Sequence, residues 1–193
     1  MEYRRLGRSG VQVSAIGLGG NTFGRAADVA RTAELVQRAL DHGINHFDCA
    51  DTYGGGGVSE RFLGAALKGR RHEAILTTKT GFPLGSGPNA DGLSRRRIIN
   101  SCEASLDRLG TDYVDVFYLH RPDDRTDIEE SLDALNDLVR QGKARYAACS
   151  NYSGWEIARL CERAVAKGWA IPVVSQSLYN LLSREVARDI TPA

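Results

Sequence analysis

Short apolar runs alternate with stretches of helical periodicity along most of this sequence. Each run is short enough to form a buried strand. Successive runs start about 30 residues apart, which is the length of one strand, one helix and two loops. The runs cover residues 15–18, 44–47, 74–77, 113–119, 144–149 and 172–175. The pattern therefore predicts six βα units.

The stretches between the runs carry signals for the ends of helices. Four Ser or Thr residues stand where an N-cap is expected, and two of them precede a glutamate by three positions, which is the capping-box pattern. These candidates are Ser59, Ser94, Thr126 with Glu129, and Ser153 with Glu156. Gly110 is suited to end the helix that follows Ser94, because glycine adopts the left-handed conformation at low cost.

A hairpin is predicted before the first run, over residues 3–14, with its turn at residues 7–10. A hairpin followed by six βα units predicts an α/β protein with a parallel sheet covered by helices. We expect one domain over residues 1–193. Two architectures fit this alternation, a doubly wound open sheet and a (β/α)8 barrel, and the pattern alone does not separate them.

Composition and charge exclude several classes of protein. Hydrophobic residues make up 42% of the chain and charged residues 25%, as in ordinary globular proteins, and the net charge is +1. Without a basic excess we expect no nucleic-acid or anionic-membrane partner. No apolar run is long enough to span a bilayer, and the charged N-terminus does not resemble a signal peptide, so we expect a cytoplasmic protein.

The four cysteines predict neither a disulfide framework nor a metal site. They show no CxxC pair and no spacing to histidines that is typical of a zinc site. Cys49, Cys102, Cys149 and Cys161 all fall in strand-like or helix-like stretches. We expect reduced, mostly buried thiols.

Polar and titratable residues recur directly after one predicted strand after another. In parallel α/β folds the functional residues gather at the C-terminal ends of the strands. The residues in these positions are Asp48, Asp51, Tyr53, Lys79, His120, Arg121, Asp123, Ser150, Asn151, Gln176 and Tyr179. We therefore expect a functional site at this edge of the sheet.

Four of these residue types together predict acid catalysis on an oxygen atom. Tyrosine has a pKa near 10, and a neighbouring lysine ammonium is expected to lower it. A carboxylate would hold that lysine, and a histidine would donate a hydrogen bond to the substrate oxygen. Tyr53, Lys79, Asp48 and His120 could so protonate a carbonyl oxygen as negative charge develops on it. The hydride for such a reduction must come from a cofactor.

These residues lie in segments that resemble the aldo-keto reductase superfamily, and the resemblance covers nearly the whole chain. The matching segments are 43–54 (GINHFDCADTYG), 59–64 (SERFLG), 77–79 (TTK), 105–109 (SLDRL), 118–123 (YLHRPD), 149–151 (CSN) and 176–182 (QSLYNLL). The resemblance implies a (β/α)8 barrel of the TIM type with an N-terminal hairpin. It also implies NADP(H)-dependent reduction of aldehydes and ketones.

The resemblance implies a role for each site residue. Tyr53 is the expected general acid, Lys79 and Asp48 tune it, and His120 orients the carbonyl. The residues expected to contact the nicotinamide half of NADP(H) are Ser150, Asn151, Gln176, Asp48, Gly20 and Asn21. No metal site is implied.

The resemblance also implies an incomplete barrel, because the sequence ends after its sixth predicted strand. In the family the seventh and eighth strands carry further cofactor contacts. The open edges of such a sheet make self-association plausible. Three functions stay open from the sequence: a reductase of small carbonyl compounds, a non-catalytic NADPH-binding subunit similar to potassium-channel beta subunits, and an inactive fragment.

Two smaller expectations concern large side chains away from these segments. Arg95, Arg96 and Arg97 are expected to be the solvated start of a helix. Trp155 and Trp169 are expected to be packing residues on either side of the fifth predicted helix of the βα units.

Overall fold

The computed structural model describes residues 1–192, which form an antiparallel hairpin followed by six strands of one parallel sheet. The strands are β1 (Tyr3–Arg5), β2 (Gln12–Ser14), β3 (Leu18–Gly19), β4 (His46–Asp48), β5 (Ile75–Thr80), β6 (Val114–Leu119), β7 (Ala144–Ser150) and β8 (Ser175–Gln176). The helices are α1 (Val29–Asp41), α2 (Tyr53–Gly56), α3 (Val58–Leu67), α4 (Arg95–Leu109), α5 (Ile128–Arg140), α6 (Gly154–Lys167) and α7 (Glu185–Arg188), with a 3-10 turn at Arg71–Glu73.

Strand order decides between the two architectures that the sequence left open. The sheet runs β3-β4-β5-β6-β7-β8, so every strand pairs in parallel with its neighbour in the sequence. A doubly wound sheet would reverse its order at a switch point, whereas a (β/α)8 barrel keeps sequential order. The α/β fold and the incomplete (β/α)8 barrel are thus confirmed. Within residues 1–192, β3 and β8 each pair with only one strand.

Two apolar layers lie on the two faces of the sheet. The larger packs the helices against the strands and includes Phe47, Leu76 and Phe117, all fully buried. The smaller contains Leu6 and Val13 of the hairpin region together with Val116, Tyr118 and Ala148 on β6 and β7. The hairpin predicted over residues 3–14 is confirmed, and it packs Leu6 and Val13 against residues of β6 and β7.

Three helix-end predictions are confirmed. The Ser153 side chain and Glu156 form a capping box at α6. Ser94 accepts a hydrogen bond from the backbone N–H of Arg97, and Gly110 ends α4 in the left-handed conformation with a φ of 63°.

Two other helix-end predictions are wrong. The N-cap of α5 is Asp127 rather than Thr126, and its carboxylate accepts a 2.9 Å hydrogen bond from the backbone N–H of Glu129. Ser59 lies inside α3, which starts at Val58, and its hydroxyl donates to the carbonyl oxygen of Gly20 instead of capping the helix. Local preference alone does not tell which of two neighbouring residues of cap-forming type is the N-cap, because the side chain of either could accept a hydrogen bond from an N–H group of the first turn.

Strand boundaries and one tryptophan also differ from expectation. The first strand of the sheet is Leu18–Gly19 and the last is Ser175–Gln176, each later than the apolar run that predicted it. Trp169 packs against the main apolar layer as expected, whereas the prediction for Trp155 is wrong, since it is 65% exposed.

The cysteines are unpaired, with Cys49, Cys102 and Cys149 buried and Cys161 half-buried. In the part of the chain that the structure describes, no group of three or more His, Cys, Asp or Glu side chains is arranged to hold a metal ion. No helix within residues 1–192 has the length and apolar character needed to cross a membrane.

Candidate active site

The four predicted catalytic side chains come together at the C-terminal edge of β4, β5 and β6. Asp48 ends β4, Lys79 lies near the end of β5, and His120 follows β6. Tyr53 opens the short glycine-rich turn after β4. Gly54 in that turn has a φ of 71°, and a Cβ there would lie 2.5 Å from the carbonyl oxygen of Phe23, so the turn that carries Tyr53 requires glycine.

An ion pair between the fully buried Lys79 and the half-buried Asp48 forms the base of the site. Lys79 is 0% exposed, and its Nζ donates to both carboxylate oxygens of Asp48, at 2.5 and 2.6 Å, and to the carbonyl oxygen of Cys49 at 2.9 Å. Thr77 also donates to Asp48, at 2.7 Å. An ammonium has three N–H donors, so all three protons of Lys79 are directed at these acceptors.

The lowered pKa expected for Tyr53 is not found in the folded chain. The Nζ atom lies 5.0 Å from the centroid of the Tyr53 ring. Burial, and then the negative charge of Asp48, raise the pKa of Tyr53 to about 12. The physical reason is that Asp48 balances the positive charge of Lys79, so desolvation of the phenolate dominates. Tyr53 therefore holds its proton at neutral pH.

His120 is a neutral imidazole packed between two aromatic rings. Burial, followed by the charge of Lys79, lowers its pKa to about 4. Its ring meets Phe82 edge-on at a centroid distance of 4.6 Å and Tyr53 at 5.8 Å. Nδ1 of His120 is buried and has no hydrogen-bond partner within residues 1–192. A neutral imidazole in this position can donate one hydrogen bond to a ligand.

Tyr53 and His120 line the same cavity, whose volume is about 440 Å³. The other lining residues are Asn21, Arg25, Thr52, Phe82 and Pro83. Asn21 was expected at the site from the sequence, whereas Arg25, Thr52, Phe82 and Pro83 were missed. They lie in loops beyond the strand ends, and no local pattern marks a loop residue as part of a cavity wall.

The three residues expected to hold a carboxamide lie together at the ends of β7 and β8. Ser150 is in register with Gln176, and the backbone N–H of Asn151 donates to the carbonyl oxygen of Gln176 at 3.0 Å. The Asn151 side chain donates to Ser150 Oγ at 3.1 Å and to the carbonyl oxygen of His120 at 2.9 Å. Asn151 thereby ties this edge to the His120 loop.

Gly20 fills a tight position between β4 and α3. Its N–H donates to the carbonyl oxygen of Asp48 at 2.7 Å, and its own carbonyl accepts from Ser59 Oγ at 2.6 Å. A Cβ at Gly20 would lie 2.8 Å from Ser59 Oγ and 3.0 Å from the Asp48 carbonyl oxygen. Both backbone polar groups of Gly20 are therefore engaged by the protein itself, and its neighbour Asn21 is exposed.

A second ion pair supports the loop between Asp48 and Tyr53. The Asp51 carboxylate is 0% exposed and accepts from Arg97 Nη2 at 2.9 Å, Ser101 Oγ at 2.8 Å and Thr80 Oγ1 at 3.0 Å. The prediction that Arg97 is solvated is wrong, because it is only 7% exposed. It faces the sheet at the start of α4, whereas Arg95 and Arg96 are exposed.

Arg95 is also engaged, since it pairs with Asp133 and Asp137 on α5. Arg95 and Arg96 are both exposed, as predicted for a solvated start of a helix.

A family model and several curated relatives match most of this chain. The family model described as "Aldo/keto reductase family" matches residues 15–193. The chain is 40% identical over 188 residues to the "Probable voltage-gated potassium channel subunit beta" of Arabidopsis thaliana, covering 95% of this chain and 57% of that protein. It is 38% identical over 196 residues to the "L-glyceraldehyde 3-phosphate reductase" of Escherichia coli strain K12, covering 98% of this chain and 56% of the relative.

A third relative is the "Versiconal hemiacetal acetate reductase" of Aspergillus parasiticus, which is 37% identical over 218 residues, 100% of this chain and 63% of that protein. The chain thus spans about 57% of the length of the first curated relatives that it matches. Because the family model covers residues 15–193, far more than half of the sequence, the chain belongs to the aldo/keto reductase family.

Proposed function

We propose that this chain carries the site of an oxidoreductase that reduces small aldehydes and ketones to alcohols with NADP(H). The observation that carries the proposal is the position of Tyr53 and His120 on one cavity, with Nζ of Lys79, which is paired with Asp48, 5.0 Å from the centroid of the tyrosine ring. Two of the relatives are named as reductases, which supports this chemistry. A nicotinamide cofactor is the hydride donor common to such reactions.

The residues at the edge of β7 and β8 fit the amide of a nicotinamide. Ser150 Oγ accepts from Asn151 and keeps its own proton free to donate. The Gln176 side chain is half-buried and makes no hydrogen bond to the described residues, so it has both a donor and an acceptor for a carboxamide. Asp48, Gly20 and Asn21 are the further proposed contacts. When bound, the nicotinamide supplies a hydride to the carbonyl carbon.

Tyr53 and His120 would act on the carbonyl oxygen. His120 donates a hydrogen bond that polarises the C=O bond, and Tyr53 transfers its phenolic proton to the oxygen as negative charge develops there. The raised pKa of Tyr53 keeps that proton available at neutral pH. After the transfer, the Lys79 ammonium lies 5.0 Å from the centroid of the phenolate ring, and Asp48 holds Lys79 in place.

Tyr53→Phe tests the proposal directly. The purified 193-residue chain is mixed with NADPH and an aromatic aldehyde, and cofactor oxidation is followed by its loss of near-ultraviolet absorbance. Removal of a general acid is expected to lower turnover about 10²- to 10⁴-fold, with the unfolding transition unchanged. The matched control is Tyr113→Phe, because Tyr113 precedes β6 at the opposite end of the sheet. Equal turnover in the two variants would refute the role of Tyr53.

A second candidate function follows from the name of the Arabidopsis relative. A channel-associated, NADPH-binding subunit would use the same site to retain the cofactor rather than to turn over substrate. Turnover slower than cofactor release would identify a reductase with a poor substrate, whereas tight retention with negligible turnover would favour the subunit. The third function considered from the sequence, an inactive fragment, predicts neither binding nor a cooperative unfolding transition.

The proposed setting is the cytoplasm, with a small carbonyl compound as the reaction partner and no nucleic-acid or membrane partner. Unpaired cysteines suit a reducing compartment. The near-neutral charge does not favour polyanions. Self-association through the β3 and β8 edges is part of the proposal, and it is tested by the concentration dependence of the molar mass in solution.

A further inference from the structure

The side chains that line the cavity around Tyr53 and His120 carry positive charge and no negative charge. Among the residues that line the cavity, Arg25 is the single charged side chain, because His120 is neutral. None of the lining residues is acidic. Asn21 and Thr52 add neutral polar groups, while Phe82 and Pro83 form an apolar wall. A ligand in this cavity meets one cation, one apolar surface and the two groups that act on a carbonyl.

The Arg25 side chain is exposed and, like several other arginines of the described surface such as Arg5 and Arg96, it has no ion-pair partner. Its guanidinium makes no hydrogen bond or ion pair with the described residues. Elsewhere on the surface Arg31 pairs with Glu34, Arg70 with Glu73, and Arg125 with Asp91. A partner-free guanidinium at the cavity is available for a ligand, and its planar fork of donors matches a carboxylate or a phosphate.

Two acidic residues of the strand-end site are paired with cations. Asp48 is paired with Lys79, and Asp51 with Arg97, so neither opposes the charge of Arg25. Behind the apolar wall, the Arg121 guanidinium lies 4.8 Å from the Phe82 ring centroid, and its own partner is Asp91. The helices that follow the parallel strands also direct their N-termini, the positive ends of their dipoles, to this edge of the sheet.

We propose that the substrate of this site is a small carbonyl compound that carries an anionic group, a carboxylate or a phosphate, at the end away from the carbonyl. The carbonyl oxygen lies against Tyr53 and His120, the body packs on Phe82 and Pro83, and the anion pairs with Arg25. This assignment of substrate class rests on the proposed reductase function, which it makes more specific.

A matched set of aldehydes tests the charge preference. The set is 4-carboxybenzaldehyde, 4-formylphenyl phosphate and the neutral methyl 4-formylbenzoate, each reduced with NADPH by the 193-residue chain. The ratio of kcat/KM for an anion to that for the ester is expected to be about 5- to 10-fold in favour of the anion, as for a partly exposed Arg–anion contact. The contact acts mainly on KM, and added salt reduces the ratio.

Two variants at Arg25 and one control assign the preference to this residue. Arg25→Gln is expected to bring the ratio close to one, and Arg25→Glu to turn it in favour of the ester. Arg5→Gln, at an exposed arginine of the hairpin that does not line the cavity, is expected to keep the wild-type ratio. The larger of the carboxylate and phosphate ratios identifies which anion the site prefers.

Binding without turnover separates this inference from the proposed function. The affinities of 4-(hydroxymethyl)benzoate and of its methyl ester are measured by calorimetry with NADPH present, because an alcohol and the reduced cofactor cannot react with each other. Tighter binding of the anion that is lost in Arg25→Gln supports the anion site even if no aldehyde is reduced, in which case only the reductase function fails. A ratio or an affinity difference that Arg25→Gln and Arg25→Glu leave unchanged overturns the inference, whether or not the aldehydes turn over.

Discussion

Replacing Arg97 with methionine removes the guanidinium that pairs with the fully buried Asp51 carboxylate. Ser101 and Thr80 would still donate to that carboxylate, but neither carries a charge. Breaking a buried ion pair from one side costs about 3 to 5 kcal/mol, because the remaining charge stays desolvated and uncompensated. A domain has a stability of about 5 to 15 kcal/mol, so the variant stays measurable but becomes clearly weaker.

The loss of stability depends on pH in a direction that the structure sets. Burial raises the pKa of Asp51 above its ordinary value, and Arg97 acts against that rise. Without Arg97 the pKa of Asp51 rises further, so the folded state keeps the proton to a higher pH than the unfolded state does. The free energy of unfolding of Arg97→Met therefore falls as pH rises through the raised pKa, and the deficit is smallest near the ordinary aspartate pKa of about 4.

Urea denaturation at pH 5 and pH 8, followed by the fluorescence of Trp169, measures both effects. Arg96→Met is the matched control, because Arg96 is the exposed neighbour of Arg97 and has no ion pair within the described residues. We expect Arg97→Met to lose about 3 kcal/mol or more at pH 8 and less at pH 5, and Arg96→Met to change by less than about 0.5 kcal/mol at either pH. An equal loss at both pH values, or a loss no larger than that of the control, would refute the role of the Asp51–Arg97 pair.

The remaining predictions concern the packing and the titration of the site. Gly20→Ala places a Cβ 2.8 Å from Ser59 Oγ and is expected to lower the free energy of unfolding by about 1 to 3 kcal/mol, whereas Gly19→Ala meets no atom within 4 Å; similar values for the two would contradict the packing argument. For a neutral aldehyde, kcat/KM is expected to stay level across the neutral range. It falls only when His120 gains a proton near its pKa of about 4 or Tyr53 loses one near about 12, and a decline centred near pH 7 would show that these shifts are wrong.

The position of Tyr53 could be predicted from the sequence, whereas its pKa could not. The sequence predicts an acid, a lysine and a carboxylate near one another, and that set predicts a lowered tyrosine pKa. In the folded chain all three N–H groups of the Lys79 ammonium donate to Asp48 and Cys49, and burial raises the pKa of Tyr53. The balance between a neighbouring charge and desolvation depends on distances that no sequence pattern contains.

Periodicity and local preference by themselves determined the order of elements in this protein. The hairpin, the six βα units and the caps at Ser94 and Ser153 depend on residues within one or two turns of each other, so the linear pattern carries them. The same holds for the placing of Asp48, Lys79 and His120 at strand ends, since a parallel sheet brings such ends to one edge.

Tertiary structure alone decided how the sheet is ordered, which side chains form the cavity and which charges neutralise each other. Arg97 reaches Asp51 across 46 positions of sequence, and Phe82 enters the cavity wall from a loop with no periodicity. Such contacts arise when distant segments pack, and their free energy depends on burial and on the distance between charges rather than on local preference. That is the physical reason why the placement of Asp48, Lys79 and His120 at strand ends could be predicted from the sequence while their ionisation and their supporting contacts could not.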